Sequence, residues 1–124
     1  RKVSAEMIKV GEPPYLECSS RGDRHFSAFY ARPKSLHGRS IEEAYQAMKI
    51  FEDGSTGLTW QRAKGKRPIN TEECLAAYKK WWIEWVTEEN LLPILKAAPG
   101  LSDIFGQTGH VCQAEVLWDI ANAS

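Results

Sequence analysis

The 124-residue sequence has no apolar run able to cross a bilayer: stretches such as Leu91-Leu92 and Val116-Leu117-Trp118 fall far below the ~20 residues that a membrane helix needs. Arg1 to Val10 are charged and lack the apolar core of a secretory signal, so a cytoplasmic protein with no membrane partner is expected. Cysteine is scarce. Cys18, Cys74 and Cys112 are odd in number, widely spaced and without a Cys-x-x-Cys pair, which excludes a closed disulfide framework and points to reduced, buried thiols. His110-x-Cys112 is the one close pairing of metal-binding side chains, and His25 and His37 do not complete a four-ligand set, so no metal is expected. Also missing are G-x-G-x-x-G, a Walker-type G-x-x-x-x-G-K, G-x-S-x-G and H-E-x-x-H, which removes motif support for nucleotide-binding α/β folds, serine hydrolases and zinc proteases. No internal repeat or low-complexity tract is found, and residues 1–124 read as a single domain.

Net charge is zero, with 16 basic and 16 acidic residues, so a global attraction to nucleic acid is not implied. The distribution is uneven, however: thirteen basic and eight acidic residues precede Pro68, whereas three and eight follow. Two basic clusters, Arg21-Gly-Asp-Arg24 and Arg62-Ala-Lys-Gly-Lys-Arg67, offer donors for phosphate or are solvated surface charge.

Turn signals and hydrophobic period divide the chain. Tyr15 to Cys18 and Phe26 to Ala31 are short, aromatic-rich and partly alternating, which predicts two strands of a small N-terminal antiparallel sheet with Ser19 to His25 between them. Leu36 to Arg39 reads as a turn. A helix begins at Ser40, where Ser-Ile-Glu-Glu supplies a capping box, and Ile41, Ala44, Tyr45 and Met48 form its apolar stripe. At about 100° per residue, Glu42, Gln46 and Lys49 fall together on a shoulder beside that stripe. Asn70-Thr-Glu-Glu73 is a second capping signature, opening a central helix to about Val86 with Leu75, Tyr78, Trp82 and Trp85 at helical spacing. Trp81 covers that helix's shoulder or lines a cleft. Glu88 to Ala98 predicts a helix interrupted or started near Pro93, Leu101 to Gly109 a polar loop, and Cys112 to Ala121 a final amphipathic helix. The sum is an α+β domain, predominantly helical.

The shoulder of the Ser40 helix is the most informative constellation. Aromatics of the Phe26-Ser-Ala-Phe-Tyr30 run can stack on a planar base, while a nearby carboxylate stabilises a developing cation or accepts a proton, an arrangement suited to N-glycosidic cleavage. The alternative is an ordinary surface Glu42 paired loosely with Lys49.

The run Phe26-Ser-Ala-Phe-Tyr30, the turn at His37-Gly38, and Ile41-Glu42 with Gln46-Ala47 and Lys49 resemble the F-S-N-F-Y, D-G-K and V-E-H-Y-x-Q-A-x-K signature of the NADAR/YbiA-like family. The resemblance spans residues 15–51 and implies that family's fold and N-glycosidase activity on ADP-ribosyl or ribosyl-phosphate conjugates, including ADP-ribosylated guanine on a nucleotide or nucleic acid. Its essential glutamate falls on Glu42. It implies substrate-binding roles for Phe26, Ser27, Phe29, Gln46 and Lys49, and neither cofactor nor metal; Arg21 and Arg24 are then expected to meet the phosphates, with Asp23 between them as a further substrate-binding candidate. The chain departs from the family pattern at Ala28, which replaces an asparagine, and in having no lysine between Tyr15 and His25, where Cys18 stands near the family's position. Lys9, Lys34 and Lys64 are candidates to replace it. Two other functions fit the same residues: a non-catalytic module binding ADP-ribose or nucleotide, and a structural or protein-interaction domain in which Trp81, Trp82 and Trp85 are core or interface.

Overall fold

The computed structural model describes residues 7–57, 68–106 and 113–123. Among the described residues, three strands, β1 (Ile8–Gly11), β2 (Tyr15–Glu17) and β3 (Gly100–Asp103), and four α-helices, α1 (Ile41–Met48), α2 (Thr71–Glu88), α3 (Leu92–Ala97) and α4 (Gln113–Asn122), make an α+β fold, and about 48% of those residues are helical when the 3-10 turns are included. Single 3-10 turns occur at Arg24–Phe26 and Lys34–Leu36.

The helix starts follow their local chemistry unevenly. At α1 the Ser40 hydroxyl accepts from the Glu43 N–H at 3.1 Å and the Glu43 carboxylate accepts from the Ser40 N–H at 3.4 Å, so the capping box forms as expected. Its entry turn is fixed by His37 in the left-handed region at φ 52° and by Gly38 at φ +91°, a conformation in which only glycine is unstrained. At α2 the expected cap does not form: Asn70 turns its amide away from the helix, accepting from the Ile50 N–H at 2.9 Å and donating to the Met48 carbonyl at 3.1 Å. Asn70 therefore ties the exit of α1 to the entry of α2. Pro93 lies in the first turn of α3, where its missing N–H costs nothing.

The sheet differs from expectation in order, direction and membership. Its order is β1-β3-β2, with β1 antiparallel and β2 parallel to β3. Residues 101–103, expected as the start of a polar loop, form with Gly100 the fully buried middle strand. Gly100 permits this: a Cβ there would sit 2.4 Å from the Glu12 carbonyl and 2.7 Å from that of Val10. Phe26 to Ala31, expected as a strand, instead curls. The Ser27 carbonyl accepts from the Tyr30 and Ala31 N–H groups at 3.0 and 2.9 Å, so local turns satisfy the backbone that a sheet partner would otherwise have to pair. Phe26, Ser27 and Ala28 are consecutively buried, which a one-faced strand does not allow.

The core lies between α1, α2, α4 and the sheet. Cys74, Tyr78, Trp82 and Val86, spaced four apart, form the fully buried stripe of α2, while Leu75, Trp81 and Trp85 cover its shoulders, half-buried against the same cluster. Tyr78 packs edge-on to both Tyr45 of α1 (5.2 Å between centroids) and Trp82 (6.4 Å), so one aromatic ladder joins the two helices. Cys18 and Cys74 are buried and not bonded to each other; Cys112 lies outside the described residues. No helix is long and apolar enough to cross a membrane among the described residues.

Candidate functional site

One turn apart on α1, Glu42 and Gln46 meet: Gln46 Nε2 donates to Glu42 Oε1 at 2.9 Å. Gln46 is buried, whereas Glu42 is only half-buried, so the buried amide orients a carboxylate that still reaches solvent. Lys49, the last residue of the sequence-predicted shoulder, caps the C-terminus of α1 and is 4% exposed. Its ammonium stands 5.3 Å from the centroid of the Tyr45 ring.

The electrostatics tie these groups together. Burial pulls the Lys49 ammonium below its ordinary pKa, while Glu42 and Cys74 partly restore it. Burial pushes the Tyr45 phenol up to about 12, with Cys74 and Glu42 adding to the rise. Burial likewise raises the Cys74 thiol, reinforced by Glu73 and opposed by Lys49. Near neutral pH the cluster therefore holds a neutral phenol and a neutral thiol around Lys49. Tyr45 stands four residues before Lys49, the helical spacing that brings the two side chains together, whereas Cys74 is legible in the sequence only as a buried thiol and nothing local marks it as their neighbour.

The aromatic run reaches this helix through its backbone. The Ile41 N–H donates to the Ala31 carbonyl at 2.9 Å and the Glu42 N–H to the Ala28 carbonyl at 3.0 Å, so residues 28–31 wrap the start of α1 and occupy donors that have no intrahelical partner. Side-chain roles differ from expectation. Phe26 is wholly buried in the core, so its ring has no face free to stack on a base, and the buried Ser27 hydroxyl accepts from the Phe29 N–H at 3.3 Å. Phe29 is half-buried and Tyr30 is 44% exposed, which leaves Tyr30 as the accessible ring of the run, already stacked on the Arg24 guanidinium at 4.8 Å. Arg21 and Arg24 are exposed. Asp23 is engaged within its own turn, accepting from the His25 N–H at 3.0 Å and facing His25 Nδ1 at 2.8 Å.

Two buried polar atoms have no hydrogen-bond partner among the described residues: Gln46 Oε1 and Trp82 Nε1. Gln46 thus spends its amide N–H on Glu42 and keeps its acceptor unused. Cys18, near the position of the family lysine, is buried, its thiol 3.5 Å from the Leu16 carbonyl. Lys9 stacks over Tyr15 at 5.5 Å and Lys34 is exposed beside Glu88, whose carboxylate accepts from its N–H at 3.1 Å. Lys64 and the Arg62 to Arg67 cluster lie outside the described residues, as does His110. Among the described residues no group of three or more His, Cys, Asp and Glu side chains is placed to hold a metal ion.

Grooves of about 310 and 270 Å³ run between α2 and α4, sharing Ile83 and Ile120; neither is lined by Glu42, Gln46 or Lys49. Their lining is mainly apolar, with Lys79 and Asp119 in the first and Thr87 and Asn90 in the second, whereas the shoulder of α1 carries a carboxylate that a neighbouring amide holds in one orientation and is taken as the candidate site. No family model, curated protein or solved structure matches the chain.

Proposed function

We propose that the chain is an N-glycosidase of the NADAR type that hydrolyses an ADP-ribosyl or ribosyl-phosphate N-glycosidic bond, with ADP-ribosylated guanine on a nucleotide or nucleic acid as substrate. The observation that supports this reading is the Glu42–Gln46 pair: a half-buried carboxylate held in one orientation by a buried amide, with the Lys49 ammonium on the same shoulder. Departure of a base from C1 of ribose leaves positive charge on the ring oxygen and C1, and a fixed carboxylate lowers the energy of that state. Glu42 also accepts a proton from the water that adds to C1, while the departing base takes up a proton on its nitrogen. Arg21 and Arg24, exposed on one turn, supply charge-assisted donors to phosphate, and Phe29 and Tyr30 supply ring faces in place of the buried Phe26.

The test is a chromatographic assay of the purified chain against ADP-ribosylated guanosine, beside Glu42→Gln. That substitution removes the charge but little volume. Release of ADP-ribose by the wild type and not by the variant is expected. ADP-ribose binding by calorimetry without release would overturn catalysis in favour of a binding module, and absence of both would leave a structural domain.

A further inference from the structure

Gln113, at the start of α4, is 6% exposed and reaches three separate segments with one carboxamide. Its Oε1 accepts from the Ala28 N–H at 2.7 Å, while its Nε2 donates to the Cys18 carbonyl and to Asp103 Oδ2, the latter at 3.3 Å. The partners leave one orientation of the amide: a backbone N–H can only donate and a backbone carbonyl can only accept. Ala28 is in turn the residue whose carbonyl accepts the Glu42 N–H at 3.0 Å. A chain of two hydrogen bonds therefore runs from the α4 side chain through Ala28 to the backbone of the carboxylate residue.

We propose that Gln113 is a positioning residue for Glu42, acting through Ala28 to fix the segment 28–31 against the first turn of α1. The reactive role of Glu42 rests on the reading given above; the positioning does not. Ala28 has a methyl side chain with no polar group of its own, so its place is set by its two backbone bonds, one to α4 and one to α1. Leu or Met at position 113 would leave the buried Ala28 N–H without an acceptor, a loss that falls on that segment first. The Cys18 carbonyl and Asp103 hold the other end of the amide, so the same residue also registers β2 and β3 against this segment.

Backbone amide exchange of the full chain, read by NMR in the wild type and in Gln113→Met, tests this without substrate. Exchange at Ala28 and Glu42 should accelerate by about tenfold or more, while Tyr78 and Trp82 of α2 keep wild-type protection. Uniform acceleration, or none at Glu42, would overturn the proposal and leave Gln113 as a general stabiliser of the core. Should the variant not fold, the wild type alone still decides: across a denaturant series the Ala28 and Glu42 amides should open together, and separate openings would overturn the link. Glycosidase activity measured on the same samples separates the two readings. Selective exchange with lost turnover in Gln113→Met supports both, whereas selective exchange in a wild type that releases no ADP-ribose supports positioning and removes the enzymatic reading.

Discussion

The Lys49 ammonium is packed over the Tyr45 ring at 5.3 Å, and no carboxylate among the described residues comes within ion-pair distance of it. A cation held this way is stabilised by the ring and by Glu42 at longer range, yet its desolvation is not repaid by a direct partner.

Lys49→Met should therefore raise the unfolding free energy near neutral pH and, on the proposed function, lower turnover. The sign with pH follows from the lowered folded pKa: between that value and the ordinary 10.5 the unfolded chain binds more protons, so the wild type recovers stability as pH rises. Urea unfolding of both proteins at pH 7 and pH 10 should show the advantage of the variant shrinking at the higher pH. An advantage that grows instead would contradict the buried-cation account.

Tyr45→Phe isolates the opposite sign. With the folded phenol pushed up to about 12 from an unfolded value of 10.0, its contribution is fully present below pH 10 and disappears as pH climbs through 12, amounting to about 2–3 kcal/mol in all. The wild type should lose that much relative to Tyr45→Phe between pH 9 and pH 12 in denaturant titrations. Parallel loss in the two chains would show the phenol to be solvated.

Phe26 and Phe29 should separate cleanly. Phe26 is wholly buried, so Phe26→Ala is expected to cost about 3–5 kcal/mol, enough to unfold much of a small domain. Phe29→Ala should cost less in thermal melts and, on the proposed function, weaken nucleotide binding in calorimetry. Equal stability losses would place both rings in the core.

Asn70→Ala should cost about 1–2 kcal/mol, because it removes the acceptor of the Ile50 N–H and the donor to the Met48 carbonyl. The effect should appear in the link rather than in the helix: exchange at the Ile50 amide should quicken, while the Cys74 amide, which donates to the Asn70 carbonyl at 3.1 Å, keeps its protection. Fraying of the first turn of α2 in circular dichroism and amide exchange would restore the capping role that the sequence position of Asn70 implies.

What could be read from the sequence was what neighbours along the chain decide. The α1 capping box, its apolar stripe and the meeting of Glu42 with Gln46 all follow from residues within one helix, and the structure has that bond at the expected offset, whereas Lys49, in the extended backbone of the C-cap, lies over Tyr45 instead. The Pro93 start of α3 was local in the same way. Phe26 to Tyr30 misled because aromatic content mimics a strand, while burial of Phe26, Ser27 and Ala28 in succession depends on what surrounds them. Asn70 carried a cap signature, but contacts 20 and 22 residues away claimed its amide. Gln113 gave no signal, since its partners Ala28 and Cys18 lie 85 and 95 residues earlier.

The order β1-β3-β2 makes synthesis order matter. Both outer strands are complete by Glu17, but the strand that pairs with each begins at Gly100 and neither outer strand pairs with the other. Between the synthesis of Glu17 and that of Gly100 a growing chain thus carries two strands without their sheet partner, each able to pair wrongly with another chain. The sheet forms only when residues 100–103 arrive to template it, and Gln113 then follows within ten residues to clamp the Cys18 end of β2 in place.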